Sequence, residues 1–342
     1  MTQRTTANLR RPTLEDVARQ AGVSRSTVSR VVNGEARVSA EVATRVRAVI
    51  AALGYVPNQA ARQLVTRRTN AVAVVATPPE GRLFLDPFFD LLLRGVRREL
   101  AGHGAQAVLL LLEEPDDRAR VADYLGGGHV DGAVLFSLRP GDLLHTMIGR
   151  LDIPAVFGGR PLLRDGDTVP GHAYVDGDNR GGARQAVRHL VSLGRRRIAT
   201  VAGPYDQENS AADRLAGYRD VLPDATSHLV ERADYSRQGG ADAMAALLDR
   251  CPDLDAVFVA SDFMASGALQ TLRERGRRVP EDVAVVGFDD LTSIAETTDP
   301  PLTTVHQDVG EMGRRMARLL FEHTGPEASV VVPTRLVRRR SA

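Results

Sequence analysis

A chain of 342 residues, 43% apolar and 25% charged, has the balance of an ordinary soluble protein and is long enough for two or three domains. No apolar run approaches the roughly 20 residues that span a bilayer, the first dozen residues are polar and basic, and the lone cysteine, Cys251, makes neither an internal disulfide nor a cysteine-rich metal site, so membrane, exported and disulfide-scaffold classes are set aside and a reducing cytoplasm is expected. The net charge of +1 is unevenly placed: residues 1–68 hold 12 arginines against Glu15, Asp16, Glu35 and Glu41, a net +8, and the remainder is −7, which points to a polyanionic partner for the head alone, with a solvated basic tail as the competing explanation.

The head reads as three helices. Thr13 starts the first, Asp16 three residues on completes a capping box, and Leu14, Val17, Ala18 and Ala21 make one apolar face. Gly22 stops it in the left-handed conformation that a helix end favours. Ser24 caps a second helix with Val28, Val31 and Val32 inward and Arg25, Ser26, Thr27, Ser29 and Arg30 outward. Helix, glycine turn, helix is the layout of a helix-turn-helix, whose second helix enters the major groove by its N-terminal end. A third helix follows Ser39, with Val42, Val46, Val49, Ile50 and Leu53 as its stripe and Gly54 as its stop. Pro57 and Asn58 open a stretch to Arg68 with Ala60, Ala61, Leu64 and Val65 at helical spacing. So short a helix is marginal alone in water, and is expected to order only when DNA and a second copy hold it.

From Ala71 the texture changes. Apolar runs at 71–76, 107–112, 132–137, 155–158, 198–202, 256–260 and 283–288 read as buried strands, with helical patterns at 87–101, 179–193, 211–221, 237–249 and 264–275. This alternation predicts parallel sheets covered on both faces, in two lobes, with a ligand cleft beyond the carboxyl ends of the strands.

The segments TLEDVARQAGVSRSTVSRVVNG and YVPNQAARQL resemble the LacI/GalR family of bacterial repressors, continuously through the head. The body resembles it more loosely, through HVDGAVLFS, DIPAVFGGRP, DRLAGYRDVL, VASDFMASGAL, VPEDVAVVGFDD and PPLTTVHQD. The resemblance implies a small all-α helix-turn-helix head (1–56), a hinge helix and linker (57–69), and an α/β two-lobed periplasmic-binding-protein-like body with parallel sheets (70–342). The chain would cross between lobes three times, with 70–174 and 305–327 in one lobe and 175–304 plus the C-terminal strand in the other.

Site roles follow from the same resemblance. Arg25, Ser26 and Arg30 take positions that read base edges, and Thr27 and Ser29 positions that contact phosphate. Asn33 and Tyr55 belong to the frame of the motif, serving backbone contacts or the fold. In the hinge, Asn58 joins the DNA-contacting set, Leu64 matches a minor-groove wedge with Ala61 beside it, and Arg62 and Arg67 fit phosphate partners. In the cleft, Asp289 matches an effector carboxylate and Arg214 its cationic partner, a purely structural ion pair being the alternative. Ser261 replaces a polar contact, Tyr235 and Phe89 match ring-stacking positions, Phe88 also lines the cleft, Arg160 faces it, and Gln307 reaches it from a crossover. Asp176 and Asn179 are expected to cap the helix after them, and Asp290 to act as a structural cap.

The resemblance implies a homodimeric repressor on palindromic double-stranded operator DNA, controlled by a small-molecule effector, most often a sugar or sugar derivative. A solute-binding protein without a DNA role is the alternative, and the basic head argues against it. An enzyme is not expected: neither G-x-G-x-x-G after a strand nor G-x-S-x-G occurs, and Gly126 to Gly128 read as a loop. The eight histidines are scattered without metal-ligand spacing, so no metal or cofactor is expected. No leucine heptads follow Arg340, which favours a dimer over a coiled-coil tetramer.

Overall fold

A computed structural model of the chain describes residues 12–32, 38–56, 68–77, 85–114, 116–136, 142–151, 153–161, 171–205, 208–322 and 325–342. They fall into two units, 1–69 and 70–342. Asn33, Asn58, Ala61, Arg62, Leu64 and Arg67, and with them the expected hinge helix, lie outside the described residues.

In the first unit, α1 (Leu14–Ala21), α2 (Arg25–Val32) and α3 (Ala40–Leu53) follow the start and stop residues. The capping box forms: Thr13 Oγ1 accepts from Asp16 N at 3.3 Å and Asp16 Oδ2 accepts from Thr13 N at 2.9 Å. Gly22 and Gly54 end α1 and α3 at φ 65° and 61°, where a side chain would be strained. Val17, Ala18, Ala21, Val28, Val31, Val46 and Tyr55 are the buried core, and Val42, Val49, Ile50 and Leu53 are only half-buried against it. Each fully buried valine contributes roughly 1.5–3 kcal/mol over exposure, which is how so small a unit holds three helices together.

The second unit has two six-stranded sheets. Before the first crossover the chain runs β1 (Ala71–Ala76), α4 (Pro87–Gly102), β2 (Gln106–Leu111), α5 (Asp117–Gly126), β3 (Gly132–Phe136), α6 (Leu143–Ile148), β4 (Ala155–Gly158) and β5 (Ala173–Gly177). It continues through α7 (Asn179–Ser192), β6 (Ile198–Ala202), α8 (Asn209–Val221), β7 (Val230–Arg232), α9 (Arg237–Arg250), β8 (Ala256–Val259), α10 (Asp262–Glu274), β9 (Ala284–Asp289), α11 (Thr292–Ala295) and β10 (Thr303–His306). It closes with α12 (Val309–Glu322), β11 (Val330–Val332) and β12 (Arg335–Val337).

The N-lobe sheet, ordered β11-β5-β4-β3-β1-β2, is wholly parallel. The C-lobe sheet, ordered β12-β10-β9-β8-β6-β7, is parallel except for the β10–β12 pair. Apolar clusters cover both faces of each sheet, as buried parallel strands require. The chain passes between lobes after β5, after β10 and after β11. The lobe limits read from sequence therefore shift: β5 belongs to the N-lobe, β10 to the C-lobe, and β11 returns to the N-lobe before β12 leaves it. Helix α12 seats on α4 so closely that a Cβ at Gly95 would lie 2.1 Å from Gly310 O, and one at Gly313 2.2 Å from Leu92 O. No described helix is long and apolar enough to cross a membrane.

Candidate functional site

The carboxyl ends of the strands meet a cavity of about 120 Å³ between the two lobes. Asp289 ends β9 at a φ of 109°, which turns the backbone out of the sheet. Arg214, on α8, approaches it with Nη2 at 3.3 Å from Asp289 Oδ1. Both are about one-twentieth exposed. The guanidinium is fixed on every side: Nε donates to Asn179 Oδ1 at 2.9 Å, Nη1 donates to Ala260 O at 2.5 Å, and its carbon lies 3.7 Å from the centre of the Phe288 ring. Gln307, on the crossover between β10 and α12, donates from Nε2 to Asp289 Oδ1 at 2.6 Å and packs on Gly177 of the first crossover. The pair is thus both an ion pair and part of the cavity wall.

Tyr235, Phe88 and Phe89 line the same cavity. Tyr235 takes a left-handed φ of 67° and lays its ring on Gly203, where a Cβ would come within 2.4 Å of it. Phe89 is buried and meets Phe88 edge-on at 5.6 Å between ring centres. With Leu92, Phe136, Met312 and Met316 the two phenylalanines form an apolar N-lobe part of the cavity wall. Arg160 lines the cavity too, pairs with Asp213 of α8, and accepts at its carbonyl from Asn209 Nδ2 at 2.6 Å.

Three sequence assignments change. Ser261 does not line the cavity: its hydroxyl accepts from Met264 N at 3.2 Å and caps α10. Asp176 and Asn179 are not the caps of α7. That role falls to Asp178, whose Oδ1 accepts from Gly181 N at 2.8 Å, while Asp176 and Asn179 are buried in the cavity wall with Asn179 Nδ2 donating to Asp176 Oδ1 at 2.9 Å. Burial pushes the Asp176 carboxyl above its ordinary range, against the pull of Arg160. Asp290 caps nothing; its oxygens take Arg339 at 2.7 Å and His306 at 3.0 Å. Only the end of β5, a strand the sequence did not reveal, could have marked Asp176, with Asn179 opening α7 just beyond it.

In the head, Arg25, Ser26 and Arg30 are exposed along α2, and Thr27 and Ser29 are half-buried. Arg25 Nε lies 3.2 Å from Glu15 Oε1, with both side chains more than half exposed. Ser26 and Thr27 share the Ser24 hydroxyl at 2.8 Å each. Tyr55 is 8% exposed and packs in the three-helix core. Among the described residues no group of three or more histidine, cysteine or acidic side chains could hold a metal ion.

Residues 13–58 match the lacI family of bacterial regulatory proteins, and residues 187–342 a periplasmic binding protein-like domain. The chain is 48% identical over 332 residues to the HTH-type transcriptional regulator CelR of Thermobifida fusca, covering 96% of each. Among solved structures it is similar to a transcriptional regulator CelR–cellobiose complex, at 45% identity and a TM-score of 0.76 over 97% of this chain and 100% of that one. It is also similar to a Lac repressor dimer bound to operator and the anti-inducer ONPF, at 29% identity and a TM-score of 0.83 over 97% and 99%.

Proposed function

The chain belongs to the lacI family of bacterial regulatory proteins, and from this premise we propose that its cavity binds a β-linked glucose disaccharide of the cellobiose type, which controls how the head holds its operator. As a member of that family it is a DNA-binding transcriptional regulator and not an enzyme. The observation that carries the ligand reading is the buried Arg214–Asp289–Gln307 set opposite an apolar wall. A carboxylate that accepts and a guanidinium that donates grip vicinal hydroxyls through charge-assisted hydrogen bonds. The rings of Phe88 and Tyr235 suit the C–H faces of a pyranose. The sugar bound in the CelR–cellobiose complex supports the choice of ligand.

The present cavity of about 120 Å³ is below the roughly 300 Å³ at the small end of ligand sites. A two-ring sugar therefore has to widen the gap between lobes, so binding and lobe angle are coupled, and by linkage the sugar changes operator affinity. On DNA, Arg25, Ser26 and Arg30 read base edges and Thr27 and Ser29 hold phosphate. Asn33, Asn58, Ala61 and Arg62 contact the backbone and minor groove, and Leu64 wedges the central step. Two heads of a homodimer then require a palindromic operator. Titration calorimetry of the full chain with cellobiose, lactose and glucose, with gel shifts on an operator selected from random DNA, tests this. Cellobiose should bind and alter the shift; binding of none of the three sugars sinks the ligand reading.

A further inference from the structure

Asp262, the first residue of α10, has no solvent exposure and does not line the cavity. Its Oδ1 accepts from the Thr304 hydroxyl of β10 at 2.5 Å, and its Oδ2 accepts from Leu291 N at 2.8 Å. One carboxyl thus joins α10, β10 and the turn after β9. That turn is strained: Asp289 and Asp290 have φ of 109° and 57°, which non-glycine residues keep only when their surroundings over-determine them. Its first residue, Asp289, carries the carboxylate that meets Arg214 and Gln307. The strand is bare where the buried carboxyl passes, since a Cβ at Gly287 would stand 2.3 Å from Asp262 Oδ1.

We infer that Asp262 is a positioning residue for the effector, which acts through Asp289 by fixing the turn that aims it into the cavity. Burial, reinforced by the charges of Asp289 and Asp290, pushes the Asp262 carboxyl well above its ordinary range. Asparagine keeps a carbonyl for Leu291 N and offers an amide to Thr304 Oγ1, whose hydroxyl then turns from donating to accepting.

The inference rests on the cavity being the effector site, and the test keeps the two apart. Full-length wild type, Asp262→Asn, Asp262→Ala and Thr304→Val are titrated with cellobiose, and each is measured on operator DNA without sugar. Loss of a buried hydrogen bond predicts a cellobiose Kd raised about tenfold or more in Asp262→Ala and less in Thr304→Val, with Asp262→Asn near wild type and sugar-free operator affinity unchanged. A crystal structure of ligand-free Asp262→Ala should show Asp289 turned away from Arg214. Wild-type cellobiose affinity in Asp262→Ala, or Asp289 retaining its φ and its Gln307 contact there, overturns the inference. If wild type does not take cellobiose, the ligand reading fails while the crystal structure still decides the role of Asp262. If Asp262→Ala does not fold, Thr304→Val carries both measurements, and unchanged sugar affinity with an unmoved Asp289 overturns the inference.

Discussion

Arg160 and Asp213 join the two lobes across the cavity: the guanidinium, two residues past the end of β4 in the N-lobe, pairs with a carboxylate on α8 of the C-lobe. Asn209 Nδ2 doubles the tie by donating to the Arg160 carbonyl. The two lobes thus share an ion pair and a hydrogen bond beside the cavity.

The pair is partly exposed, at 36% and 27%, and such pairs contribute about 0.2–1 kcal/mol. Asp213→Asn should therefore speed cellobiose association by roughly 1.5–5-fold, since opening no longer breaks the ion pair. Surface plasmon resonance with immobilised protein measures it. An unchanged or slower rate would mean that the lobes admit ligand without parting here.

Asp289→Asn keeps an oxygen for Gln307 but removes the charge that faces Arg214. A hydrogen bond to a charged group contributes about 1.5–3 kcal/mol, so cellobiose affinity should fall roughly 10–150-fold. Operator affinity without sugar should stay put, because the change lies in the body and the reading side chains lie in the head. Gel shifts with and without cellobiose check both halves, and a variant that still responds at wild-type sugar concentrations would relieve Asp289 of its role.

The major strands were legible because a strand buried on both faces reads as an apolar run, as in Ala71–Ala76. The missed ones are short or mixed: β5 is AYVDG, and β10 begins with two threonines. Helix α12 was missed although Val309, Met312, Met316, Leu319 and Leu320 have helical spacing; of its glycines, Gly313 is the one that its close seat on α4 demands. Arg214, Asp289, Gln307, Arg160, Tyr235, Phe88 and Phe89 line one cavity. Asp176 and Asn179 did not stand out, because Asp-x-Asp-Asn ahead of a helix looks like capping and only Asp178 does that work. Ser261 misled for the opposite reason: a strand-to-helix turn beside a ligand site still needs a cap.

Asp262 gives a pH dependence with a definite sign. Its folded pKa lies well above the unfolded value near 3.9, so the folded state keeps a proton that the unfolded chain has lost. The stability this confers is complete below about pH 4 and is lost as pH rises toward the folded pKa, by at most about 1.4 kcal/mol per pH unit. Asp262→Asn has no proton to lose, so its melting temperature relative to wild type should climb between pH 5 and pH 8. Asp117 behaves oppositely, since backbone N–H donors of Glu114 and Glu113 and the side chain of Arg120 hold it at about 2, and its contribution is lost only as pH falls below about 4. Both proteins share that acid limb, so it cancels in the comparison. A gap that stays constant from pH 5 to pH 8 would mean that Asp262 titrates elsewhere.

The exposed Arg25–Glu15 pair makes the reading role of α2 testable. At more than half exposure on both sides it restrains Arg25 weakly, so the guanidinium can exchange a carboxylate for DNA at little cost. If Arg25 grips a guanine edge, Arg25→Ala should cost about 1–3 kcal/mol on the preferred operator and flatten selectivity at one base pair of each half-site. If it holds a phosphate instead, affinity should fall equally on all sequences, and the slope of log K against log salt should shrink by about 0.9 for each phosphate no longer neutralised. Glu15→Gln sharpens the comparison: it removes the competing carboxylate and should tighten operator binding slightly without changing which base is preferred. Selection from random DNA with each variant, followed by salt titrations on the winning operator, separates base reading from backbone holding. A wild-type base preference retained by Arg25→Ala would move the reading to Ser26 and Arg30.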